Sequence, residues 1–115
     1  MLSGKYNDGK LPEGARFSSY LNAGERQKVM AQRFVNEKSL AATKAFMEIA
    51  SDEGVSPVTL AVAWSKQHDF VASTIVGATK VSQMKEIIDA GAMKMTSETN
   101  KRIDQVSKEI MYPMG

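Results

Sequence analysis

Apolar residues recur three or four positions apart in several stretches of the chain, and most of these stretches carry their own start or stop signal. Between Glu37 and Asp52, Leu40, Thr43, Met47 and Ala50 share one face, with Phe46 and Ile49 beside them, and Gly54 follows as a stop. The spacing predicts a helix over 37–52. Ser56-Pro57 opens a second helix, running to about 68. The serine can cap free amides, and proline suits a first helical position because its missing N–H has no partner there anyway. Leu60, Ala61, Trp64 and His68 form its stripe. A third helix is predicted from Ser82 to Ala90, with Met84, Ile87, Ile88 and Gly91 on one face. A fourth follows the cap Thr96 and carries Ile103, Val106 and Ile110. Pro113 prevents the tail from continuing it.

Two stretches read differently. Residues 1–24 are punctuated by Gly4, Gly9, Pro12 and Gly14, with turn chemistry at Asn7-Asp8-Gly9, and are expected to form a loop. Phe70 to Val76 is short, β-branched and bounded by Asp69 and Gly77, the pattern of a buried strand. A single strand leaves its backbone groups without partners. The expectation is therefore about one strand and four helices, with the strand paired to something outside these segments.

Composition narrows the chemistry. The net charge is +2 with no basic run, which gives no footprint for nucleic acid or an anionic membrane. Cysteine is absent, so disulfides, thiolate metal sites and cysteine nucleophiles are excluded together. With His68 as the only histidine, a His-based metal cluster is excluded too. Its place near a helix end beside Asp69 suits an imidazole that complements the helix dipole. No apolar run has the length of a membrane span and no signal peptide is evident, so a cytoplasmic location is expected. The eight methionines read as core filler.

The most specific segment is Ser73-Thr74-Ile75-Val76-Gly77-Ala78-Thr79, followed by Gln83. A predicted strand ends at a glycine and a helix begins a few residues later; by itself this pattern fits either a structural turn or an anion site, where free amides and the helix dipole favour negative charge. Three further motifs accompany it: Leu2-Ser3-Gly4-Lys5-Tyr6, Arg16 after a Gly/Pro-rich loop, and Ser56-Pro57 through Leu60-Ala61 to Ala63-Trp64. In this order they resemble the aldo-keto reductases, especially the bacterial reductases and the potassium-channel β subunits, and they cover nearly the whole chain.

The resemblance implies an α/β fold, the C-terminal fragment of a TIM (β/α)8 barrel from the end of strand seven onward. A complete barrel takes about 250 residues, and this chain has 115. It implies NADP(H) as cofactor. Lys5 and Arg16 would meet its phosphates, Gly77 and Thr79 the adenosine-phosphate end, and Gln83 and Glu86 the adenine and its ribose. Lys80 stands near the 2′-phosphate region. The family's Asp, Tyr, Lys and His catalytic set comes from the first half of the barrel, so no catalytic residue is carried over. Where the family places an adenine-reading Asn after the Glu86 position, this chain has Ile87. The resemblance further implies, as partner, the missing N-terminal barrel half or a second copy of the chain. The alternative role is a non-catalytic, cofactor-sensing protein like the channel β subunits.

Overall fold

The computed structural model describes residues 1–114. Among them are six α-helices: α1 (Arg16–Leu21), α2 (Glu25–Phe34), α3 (Glu37–Asp52), α4 (Pro57–Lys66), α5 (Ser82–Ala92) and α6 (Ser97–Glu109). A short 3-10 turn, Asn7–Gly9, precedes them.

The ends of α3 show why it stands where the pattern puts it. Asn36 accepts from the Ser39 amide at 3.0 Å, and the Ser39 hydroxyl accepts from the Asn36 amide at 3.2 Å. This reciprocal pair satisfies two donors that the helix cannot. At the far end Gly54 takes φ +68°, its amide donates to Ser51 O, and the Val55 amide donates to Ala50 O. That double bond is a Schellman stop, and it turns Val55 back onto the core. Ser56 caps α4 through the Thr59 amide (3.1 Å), with Pro57 at the first position. Thr96 caps α6 through the Thr99 amide (3.0 Å).

Phe46, Ile49 and Ala50 of α3 meet Leu60 of α4 and Ile103 of α6 in the core. Leu60 and Ala50 are fully buried. Thr99, also fully buried, donates its hydroxyl to Glu53 Oε1 at 2.6 Å, tying α6 to the end of α3. Helix α5 packs on α4, and α1 packs on α2.

Three expectations are corrected. No strand forms among the described residues: 70–76 opens with a turn at Phe70 and a bend at Ala72 and joins no sheet, with Phe70 84% and Ile75 96% exposed. A strand is stabilised by ladder bonds to a neighbour, and nothing within the described residues supplies one. Its side chains are tethered by Thr74, which donates to the Ser65 hydroxyl of α4 at 3.1 Å, and by Phe70, stacked on His68. The predicted loop 1–24 holds the 3-10 turn and α1. The unpredicted α2 has no wide apolar stripe. Ala31 is fully buried while Val29 and Met30 stand exposed, so it rests on the helix propensity of Glu, Arg, Gln and Lys and on docking through Ala31 and Phe34. The predicted second helix also stops at Lys66, leaving His68 just beyond it.

Leu60→Ala is expected to lower unfolding free energy by about 2–5 kcal/mol, whereas Ile88→Ser, at a residue 67% exposed, should change it by less than about 0.5 kcal/mol. Urea unfolding followed by circular dichroism measures both. Equal effects would mean that the core lies elsewhere.

Candidate functional site

The N-terminal motif is built around a docked tyrosine. Gly4 takes φ +73°, and an added Cβ there would overlap the Met47 side chain of α3. Glycine is favoured there by the backbone conformation, and a side chain would in addition have to displace the end of the flexible Met47 side chain. Tyr6 is buried, and its hydroxyl accepts from the Phe17 amide at 3.1 Å. Ala15 at the N-cap of α1 has no side chain to cap with, so the Tyr6 hydroxyl does that work from a distance in sequence. Asn7 donates its amide to Leu40 O at 2.9 Å, fixing the turn to α3.

Two of the predicted phosphate-binding cations sit on this platform. Lys5 is exposed, with Nζ 5.2 Å from the Tyr6 ring centre. Arg16 is exposed at the first position of α1, its guanidinium 5.4 Å from the Tyr20 ring centre and 5.9 Å from that of Phe17. Aromatic faces at this range attract a cation while leaving its N–H donors free for other partners. Burial, and then the neighbouring charge of Lys5, lower the pKa of the Met1 amine.

The remaining candidates lie around the start of α5. Gln83 Oε1 accepts from the Thr79 amide at 2.8 Å and from the Lys80 amide at 3.2 Å, with the Thr79 hydroxyl at 3.4 Å. Two main-chain donors thus converge on one oxygen. Gly77 is exposed, and a Cβ added there meets open space. Glu86 is half-buried; its carbonyl accepts from the Thr59 hydroxyl at 2.9 Å, which pins α5 to α4. One position on, Ile87 is half-buried. Lys85 pairs with Asp89 at 2.8 Å, and the hydrogen bond, then the carboxylate charge, raise its pKa.

The structure therefore gathers Gly77, Thr79, Gln83 and Glu86 at one helix start, and Lys5 and Arg16 on a separate platform. The first group is carried by α4, the second by the N-terminal turn and α1. The sequence reading missed the role of Tyr6 as the cap of α1. Its signal was an aromatic inside the motif before an α1 that lacks its own capping side chain.

His68 lies between Trp64, edge-on at 4.9 Å, and Phe70, stacked at 5.1 Å, and its Nε2 is buried without a hydrogen-bond partner. No group of three His, Cys, Asp or Glu residues able to hold a metal occurs among the described residues. Among the same residues, no helix is long and apolar enough to cross a membrane.

Comparison with known proteins agrees with the motifs. The model of the aldo/keto reductase family matches residues 1–108. Protein tas of Escherichia coli is 31% identical over 115 residues, covering 97% of this chain and 30% of the relative. A putative voltage-gated potassium channel subunit beta of Schizosaccharomyces pombe is 35% identical over 108 residues, covering 92% and 30%. L-glyceraldehyde 3-phosphate reductase of Escherichia coli is 24% identical over 110 residues, covering 96% and 30%. The chain thus spans about 30% of the length of these curated relatives. With a family match over residues 1–108, this chain belongs to the aldo/keto reductase family.

Proposed function

We propose that the chain is the C-terminal segment of an NADP(H)-dependent carbonyl oxidoreductase barrel and contributes cofactor grip, not catalytic groups. The observation that carries this reading is the turn before α5, where the Thr79 and Lys80 amides converge on a single acceptor oxygen. A helix start with converging donors suits a phosphate oxygen. Gly77 is compatible with it: among the described residues nothing lies within 4 Å of where a side chain there would begin. Arg16 supports it through a fork able to grip phosphate with two bonds. When bound, the cofactor supplies hydride; the residues of this chain bind and orient its phosphates and adenosine.

The partner in this reading is polypeptide equivalent to the other part of the barrel. The main-chain groups of Ala72 through Ala78 have no hydrogen-bond partner among the described residues. A strand with both edges open needs two neighbours. A second copy pairing through the same segment supplies one, and a two-stranded ribbon is marginal in water. The likeness to a channel β subunit favours a second role, a cofactor-sensing partner without turnover.

Fluorescence titration of the chain with NADPH tests the grip. Arg16→Ala removes a charged hydrogen bond, about 1.5–3 kcal/mol, so affinity should fall roughly ten- to a hundredfold. Binding unchanged by this variant would sink the assignment.

Ile87→Asn introduces an amide where the family reads adenine. One neutral bond, about 0.5–1.5 kcal/mol, predicts an affinity gain of roughly two- to tenfold. Destabilisation with no gain in affinity would place Ile87 in the α4–α5 packing instead.

The isolated chain is expected to show no carbonyl reductase activity. Assay with NADPH and an aldehyde checks this, and turnover that survives repurification from a host lacking other reductases would overturn it.

A further inference from the structure

The chain carries an apolar cavity of about 450 Å³ between α3, α4 and α6, away from the turn at the start of α5. Phe46, Ala61, Trp64, Ile103 and Val106 form its walls. Among the described residues no charged side chain lines it, and the polar side-chain groups are the Ser107 and Tyr112 hydroxyls and the Trp64 indole N–H. The size lies within the range of about 300–1,000 Å³ typical of small-molecule sites.

The chain's own tail forms part of the wall. After α6 ends, Tyr112 takes φ +51°, a left-handed conformation that costs a non-glycine residue energy. This turn brings Tyr112, Pro113 and Met114 to the rim of the cavity. Asn36, the N-cap of α3, donates its amide to Pro113 O at 3.1 Å and pins the tail. The lining selects by charge. A carboxylate or ammonium entering it loses its water and finds no opposite charge, whereas an alkyl or aryl body buries apolar surface and can place one hydroxyl against Ser107 or Tyr112.

We propose that this cavity binds a single uncharged, mainly apolar small molecule, with the tail as part of its wall. Trp64, the only tryptophan in the chain, lies in the wall and reports occupancy by its fluorescence. The test is titration of the full chain with 1-decanol and with decanoate below their aggregation limits. Decanol should give a saturable one-to-one change, and decanoate should bind at least about tenfold more weakly. Ala61→Phe fills the cavity from α4 and Ala42→Leu fills it from α3; either variant that keeps the wild-type circular dichroism should reduce decanol affinity at least about tenfold. Equal responses to alcohol and carboxylate, or binding that survives both folded variants, would overturn the proposal. So would sedimentation showing that the decanol response disappears when the chain self-associates, since the cavity would then be an interface between copies. Neither result bears on NADPH affinity, which Arg16→Ala reads separately.

Discussion

Everything in the molecule hangs on α3 burying its apolar stripe. Phe46, Ile49 and Ala50 occupy a face that only α4 and α6 together can cover, through Leu60 and Ile103. The N-terminal turn is fixed to the same helix by Asn7, and Gly4 lies against the Met47 side chain. Helix α2 leads into it through the Asn36 cap, with the Ser39 hydroxyl donating to Phe34 O. Helix α5 reaches it at second hand, through α4. A helix with well-formed stops at both ends is a rigid support, and its length is set by local bonds rather than by its neighbours.

That dependence divides the candidate site. Lys5 and Arg16 are positioned from α3 through Tyr6, whose hydroxyl caps α1. The Gly77–Gln83 turn is positioned from α4 through the Thr59–Glu86 bond. Each half is internally determined, while their mutual placement passes through the α3–α4 packing. Cofactor phosphates spanning both would couple the two halves by binding them.

The stretch from Phe70 to Ile88 is where the chain is least self-sufficient. Phe70, Ile75, Val81 and Ile88 are each more than 60% exposed, and the main chain of 72–78 finds no hydrogen-bond partner among the described residues. Scattered exposed apolar residues are ordinary; here they flank a segment that joins no sheet. The chain spans about 30% of the length of its relatives.

The sequence by itself determined whatever is settled within a few residues. The bounds of α3, the Ser56 and Thr96 caps and the Gly54 stop were all legible, because a cap or a Schellman turn is made by neighbours along the chain. The four motifs that carry the family resemblance were legible for the same reason, as short local strings. Tertiary structure decided the rest. Whether Phe70–Val76 becomes a strand depends on a partner that no local pattern contains, since ladder bonds join residues distant in sequence. Helix α2 was hidden because its stability comes from propensity and one docked face rather than a stripe. The capping of α1 by Tyr6, and the separation of the two cation-bearing residues from the α5 turn, were settled only when the helices packed, because hydrogen bonds between distant residues follow from that packing and leave no periodic trace in the sequence.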